Sequence, residues 1–295
     1  MNSPDFGAHI RSITNGTQNN EPVPDVPRLA GSLVDPVTAP IDEEPPLSPS
    51  EVNTFFACSA RWNFKYRERL PNSMTGALTV GISFHTAQKV NFIQKRETGE
   101  DLPLEGVRMV FRDAWNELLE STEFREDEEP DELKACGEAL LTKYMDEAAP
   151  RIQPAEAELP VSGMIGGVKV TGKIDLLDVY GCIIDIKTAA KKPSWIDPNY
   201  RFQVATYKRL EPRASGEARL ETVTKTKTIQ LVQQTFTISQ ADHHSIETLY
   251  PLALQGMRAG IYWPNRASYF CSRDHCPFWR ACEARYGGTV KGGDR

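Results

Sequence analysis

Apolar positions recur at helical spacing up to about Ala155, alternate strand-like beyond it, and return to helical spacing near the C-terminus. Residues 1–47 hold no sustained apolar repeat and are rich in Pro, Asn, Asp and Glu, which predicts a disordered leader. Order is expected to begin at Ser48-Pro49-Ser50-Glu51, an N-cap serine, a proline suited to the first turn and a glutamate able to close a capping box. Val52, Phe55, Phe56, Ser59 and Trp62 follow at helical spacing and put Cys58 on or beside a buried face. A second helix is expected from about Thr79 to Lys95. Residues 105–148 read as helical, with a solvated acidic face around Glu117–Glu132.

From Glu156 to Lys187 the chain alternates and turns at glycines, as strands and hairpins do. Helix is expected again over Arg201–Arg209, a strand pair over Thr222–Ser239, and a last helix from about Gln240 to Gly260. Helices, a β-meander, then strand and helix predict an α/β fold, a central mixed sheet flanked by helices.

Composition narrows the class. The chain has 295 residues, 40% hydrophobic and 25% charged, enough for a sizeable core. No stretch has the apolar length to cross a bilayer, so no membrane association is expected. The first residues lack the pattern of a secretory signal. Together with six cysteines, this argues for a reducing, cytoplasmic setting and against a disulfide scaffold. A net charge of −6 counts against coating nucleic acid, but not against gripping a few phosphates locally.

Candidate chemistry concentrates in residues 172–188. Val179-Tyr180-Gly181 reads as a three-residue hairpin loop with glycine at the left-handed position. That loop pairs Asp178 with Cys182 and therefore sets Asp175 opposite Asp185, with Lys187 on the same face. Ile174, Leu176, Ile184 and Ile186 are expected on the other face, in the core. Two facing carboxylates repel unless a cation joins them, and Mg²⁺ or Mn²⁺ suits oxygen ligands. With a lysine beside the ion, the layout fits phosphodiester hydrolysis. The bland alternative, a solvent-facing hairpin, leaves two aspartates opposed in strands, which is costly.

Asp175 with Asp185-Ile186-Lys187 resembles motifs II and III of the PD-(D/E)XK nucleases, in the RecB-like form in which Gly-x-x-Asp precedes Asp-x-Lys-Thr. Gly81-Ile82-Ser83-Phe84-His85 is similar to that branch's motif I helix, and the resemblance implies His85 as a metal ligand beside Asp175 and Asp185. It also implies a restriction-endonuclease-like sheet, Glu158 as the strand glutamate preceding motif II, and Gln203 and Tyr207 as the Gln-x-x-x-Tyr pair that contacts DNA. Glu156, on the same side of the strand, is a near-equal rival to Glu158. The resemblance covers about residues 48–286, taken as a nuclease domain followed by a flexible tail, 287–295.

Cys271, Cys276 and Cys282, with Cys58 far upstream, supply four thiolates, suited to either a zinc site or a [4Fe–4S] cluster. One distant cysteine plus a C-terminal trio resembles the iron–sulfur members of the RecB-like branch, such as the AddB-type and CRISPR-associated exonucleases. It implies a cluster joining the N- and C-terminal segments. The first gap is four residues where many members have two, which keeps zinc open.

Residues 185–230 carry ten Lys or Arg against five acids, with Trp195, Tyr200, Phe202 and Tyr207 interleaved. A groove that stacks bases and tracks phosphates needs this mixture, and Lys191 and Lys192 are its candidate phosphate contacts. The expected activity is a DNA exonuclease working on single strands or duplex ends, in recombination, repair or processing. The alternatives are a non-catalytic DNA-binding or assembly subunit of the same fold, and a redox or zinc protein with an incidental hairpin. The chain lacks a Walker-type phosphate loop, so any helicase or recombination partner would be a separate protein.

Overall fold

Ser48 caps the first helix as expected: its hydroxyl accepts from the Glu51 N–H while the Glu51 carboxylate accepts from the Ser48 N–H. In this computed structural model, which describes residues 44–72 and 74–292, that helix is α1 (Pro49–Ala57). It is followed by the single turn α2 (Ser59–Trp62) and a π-helical turn over Asn63–Arg67. A short parallel pair, β1 (Met74–Thr75) with β2 (Thr122–Glu123), brackets the helical half, α3 (Gly76–Thr98) and α4 (Leu104–Leu119), with α5 (Pro130–Glu147) after it.

The sheet follows in chain order: β3 (Pro154–Ile165), β4 (Val168–Asp178), β5 (Ile183–Ala189), β6 (Glu217–Thr224) and β7 (Gln230–Thr237). All neighbours are antiparallel except β5 and β6, because α6 (Pro198–Leu210) carries the chain back before β6 begins. Two helices close the fold, α7 (Gln240–Arg258) and α8 (Trp279–Tyr286). The sequence reading had no helix at α8.

Two cores form on the two faces of the sheet. Val170, Ile183 and Ala218 pack with Val52 and Phe55 of α1, Val204 and Tyr207 of α6 and Tyr250 of α7. Leu176, Ile184 and Ile186 pack with Phe84, Phe111, Trp115 and Tyr144 from α3, α4 and α5. A third, small cluster of Ala60, Phe64, Phe278 and Cys282 ties the α2 region to the C-terminal segment.

Contacts extend past the expected domain limits. Leu47 is buried and exchanges backbone hydrogen bonds with β4, Leu47 N–H to Lys169 O and Thr171 N–H to Leu47 O, and Glu44 pairs with Arg258 at 2.8 Å. At the other end Val290 is buried and its N–H donates to Glu283 Oε1. The rest of the expected leader, residues 1–43, lies outside the described residues.

The β4–β5 hairpin has the register its loop length dictates. Leu176 pairs with Ile184, Leu177 with Ile183, and the Asp178 N–H donates to Cys182 O. Gly181 sits at φ +77°, and a Cβ there would lie 2.6 Å from the Arg213 carbonyl. Gly181→Ala is therefore expected to lower unfolding free energy by at least about 1–2 kcal/mol, the cost of a left-handed alanine alone. Urea unfolding measures it; an unchanged midpoint would mean the turn bears no strain.

One expectation about this hairpin is corrected. Ile174 does not share a face with Leu176: it packs under α6 and α7, whereas Leu176 packs under α3–α5. On β3, Leu159 and Ala157 change sides in the same way. The alternation slips on both strands at one rung, Glu158 opposite Asp175, and Glu158 has φ +54°. Such a slip keeps the register while turning both carboxylates out of the regular pleat.

Candidate active site

Beyond Leu176 and Ile184 the sheet forks. The remaining rungs of β4 pair only with β3, and those of β5 only with β6. Asp175 and Asp185 face each other at the fork. With no backbone partner across the gap, the Ile186 N–H donates instead to Asp175 Oδ2 at 3.0 Å. Lys187 reaches back between the carboxylates, its Nζ 2.7 Å from Asp185 Oδ1 and 4.0 Å from Asp175 Oδ2.

α3 closes one side. His85 Nδ1 lies 3.9 Å from Asp175 Oδ2, and His85, Glu158, Lys173, Asp175 and Lys187 line one pocket of about 550 Å³. Glu158 forms an ion pair with Lys173 at the pocket wall. Its rival Glu156 is held elsewhere, by Arg96 and Arg213. α6 closes the other side: Gln203 donates to Asp185 Oδ1 at 3.3 Å and to the Tyr207 hydroxyl at 2.9 Å. The Tyr207 ring can lie on β4 only because residue 172 is glycine, where a Cβ would come within 2.5 Å of it.

The electrostatics follow from burial. Asp185 is 1% exposed, and burial, with Asp175 adding to it against the pull of Lys187, pushes its carboxyl up to about 6. Its Oδ2 has no hydrogen-bond partner. Burial alone would lower the Lys187 ammonium, but Asp185 and Asp175 outweigh it and leave it raised. Burial lowers His85, against the pull of Asp175, and keeps the imidazole neutral near pH 7. A neutral imidazole and a buried oxygen without a donor are groups that a divalent cation can use.

Among the described residues, no group of three or more His, Cys, Asp or Glu stands at the spacing of a metal site. The carboxylates have other partners: the Lys187 ammonium takes the position between them, and a backbone N–H occupies Asp175.

Tyr200 is a neighbour that the motif reading did not single out. Its ring lies 5.6 Å from Lys187 Nζ. The signal was present, since residues 200, 203 and 207 share one helix face. Lys191 and Lys192 are exposed in the loop before α6 and pair with no described residue. The basic run as a whole is not a free patch. Arg201, Arg209, Arg213 and Arg219 are paired with Asp242, Glu247, Glu211 and Glu221.

Cys58, Cys271, Cys276 and Cys282 line a separate cavity of about 300 Å³, between α1, the C-terminal segment and the start of α6. Burial raises the Cys276 and Cys282 thiols, and neighbouring cysteines push the same way; Arg61 and Arg266 oppose the shift at Cys276 and Cys282 respectively. Cys136 and Cys182 stand apart from the group, as expected of ordinary thiols.

One solved structure shares this architecture. In a candidate exonuclease from Eubacterium rectale, the solved structure superposes with a TM-score of 0.54 at 16% identity, covering 85% of this chain and 91% of that one. A second solved structure, that of SSO0001, gives a TM-score of 0.33 at 16% identity over 80% of this chain and 97% of that one. No curated protein matches the sequence. Residues 46–283 match the PD-(D/E)XK nuclease superfamily profile, most of the chain and all of the sheet, and the chain belongs to that superfamily.

Proposed function

We propose that the protein is a metal-dependent DNA exonuclease acting on ends or single strands, in recombination, repair or DNA processing. The observation that supports this best is the meeting of Asp175, Asp185 and Lys187 where the sheet forks, with one Asp185 oxygen buried and undonated. Burying an unpaired charge is expensive, and a cation at that oxygen offsets the cost.

His85, Asp175 and Asp185 would hold Mg²⁺ or Mn²⁺, which supplies polarisation of a phosphoryl oxygen and activation of the attacking water. The protein's own groups do the rest. Lys187, displaced from between the carboxylates, offsets charge developing on the phosphate. Glu158 orients water at the pocket wall. Gln203 fixes the Asp185 rotamer and is itself fixed by Tyr207, and Lys191 and Lys192 take flanking phosphates.

Cys58, Cys271, Cys276 and Cys282 would hold a [4Fe–4S] cluster with a structural role. A tetrahedral zinc, with bonds of roughly 2.3 Å, draws its sulfurs close together. All four thiols border one cavity, which is what a group held by them together requires.

Protein prepared anaerobically should be brown, contain iron and sulfide, and digest linear DNA with Mn²⁺ but not with EDTA. Equal digestion by Asp185→Ala would end the enzyme reading. The metal should also bind in a pH-dependent way. Asp185 takes up a proton as pH falls through about 6, and a metal must then displace it. Apparent Mn²⁺ affinity should therefore fall by about tenfold per pH unit below 6. Titration calorimetry reads this directly, and a flat profile from pH 5 to 7 would remove Asp185 from the ligand set.

A further inference from the structure

The charge of the molecule is unevenly distributed. Residues 58–72 and 261–292, which surround the four cysteines, carry nine Lys or Arg against three acids, a balance of +6 in a chain of net −6. Arg61, Lys65, Arg67 and Arg280 each stand against an aromatic ring, and none lies within ion-pair distance of a described carboxylate.

The same region exposes large rings. Trp263 is 54% exposed, Tyr269 75% and Phe270 48%, and Tyr269 and Phe270 meet edge to face. The Arg61 guanidinium lies 5.4 Å from the centre of the Phe270 ring. Nothing in the catalytic pocket uses these groups.

Position links them to it. Arg61 and Phe270 line the cysteine cavity, and its α6 wall includes Tyr200 and Gln203. Gln203 in turn donates to Asp185. One cavity therefore lies between Phe270, with Tyr269 against it, and Gln203, which holds Asp185.

We infer that Tyr269, Phe270 and Arg61 form a second contact for a single-stranded polynucleotide, stacking bases several nucleotides away from the catalytic pocket. The inference rests on the nuclease reading and names the surface that holds the uncleaved part of the strand. Every base has a face to stack, so the platform recognises strandedness rather than sequence. Paired bases in a duplex cannot reach it.

The test uses the full, cluster-loaded protein and labelled oligothymidylates of about 4 and about 20 nucleotides. Binding is measured with Ca²⁺ in place of Mn²⁺, and digestion with Mn²⁺. The double variant Tyr269→Ala/Phe270→Ala should bind the long strand about tenfold more weakly or worse, the value of one lost stack. The short strand should be bound and cleaved as by the wild type. Because both rings are exposed, the variant should keep its melting temperature. Tyr269→Trp/Phe270→Trp should retain long-strand affinity, whereas Tyr269→Leu/Phe270→Leu should lose it, since leucine has no π-face. Arg61→Ala should reduce the slope of log affinity against log salt by about 0.7.

Unchanged long-strand binding by the alanine double variant, with normal digestion, would overturn the inference and leave the nuclease reading standing. Full affinity in the leucine variant would also overturn it, since base stacking would then contribute nothing. Wild-type protein that neither binds nor digests either strand would sink the nuclease reading itself.

Discussion

Lys187→Ala is expected to lower Mn²⁺-dependent cleavage by about 10²–10³-fold, the usual loss when one preorganised charge is removed from a transition state, and also to tighten Mn²⁺ binding. The two effects have opposite signs because Lys187 has two roles. In the resting site its ammonium lies 2.7 Å from Asp185 and 4.0 Å from Asp175, where it competes with any divalent ion. On the proposed mechanism it faces the phosphate during reaction. Without it the carboxylates repel each other and draw in metal more strongly. Metal-free variant should be less stable by up to about 3 kcal/mol, the lower range for breaking a buried pair. Proton uptake by Asp185 limits the loss, because its carboxyl already titrates at about 6. Saturating Mn²⁺ should restore the melting temperature. Asp185→Ala separates the roles differently, losing cleavage and metal affinity together. Wild-type cleavage by Lys187→Ala, or weaker Mn²⁺ binding, would show that the ammonium does not sit between the ligands and the substrate.

The hairpin was legible because loop length and one glycine determine its register. Once Gly181 takes the left-handed position, Asp175 must oppose Asp185, and the observed rungs at Leu176 and Leu177 agree. The fork beyond them was not legible. Strand-period reasoning assumes that residues two apart share a face, and the rung Glu158–Asp175 breaks that rule on both strands at once. A glutamate at φ +54° leaves no trace in composition, since a glycine or asparagine would normally mark it. That slip brings Glu158 toward His85 and leaves Glu156 to Arg96 and Arg213, a choice the alternation alone could not make.

Charge was legible as a count but not as a field. The window 185–230 is basic, yet Arg201 is neutralised by Asp242 and Arg209 by Glu247, acids outside the window. A region of larger net positive charge lies around the cysteines, formed from two stretches nearly 190 residues apart. Only the fold adds them together.

Cys58→Ser is expected to release the C-terminal segment while the sheet and its two cores stay folded. The segment beyond α7 is held by few groups: the Trp263 N–H to Ser59 Oγ at 2.8 Å, Asn265 Nδ2 to Ala57 O at 3.0 Å, and the Arg285–Glu68 ion pair. Among the described residues its buried core is small, Ala60, Phe64, Phe278 and Cys282 with partly buried Leu70, Ala281 and Tyr286 against them, and Val290 beyond. Fully burying a phenylalanine contributes ~1.5–3 kcal/mol, whereas ordering each residue costs ~1–2 kcal/mol of backbone entropy. That packing is small against the entropy of ordering some thirty residues, and on the proposed reading a metal group bound by Cys58 and the C-terminal trio supplies the difference. The variant should lose its iron, and trypsin should cut at Arg266 and Arg273 at rates at least about tenfold above wild type, as expected for opening eased by 1.4 kcal/mol or more. The main thermal transition should move little, because its cores lie elsewhere. Iron-free protein that still protects Arg266 and Arg273 from trypsin would mean that packing alone holds the segment, and the cysteines would then have no structural role.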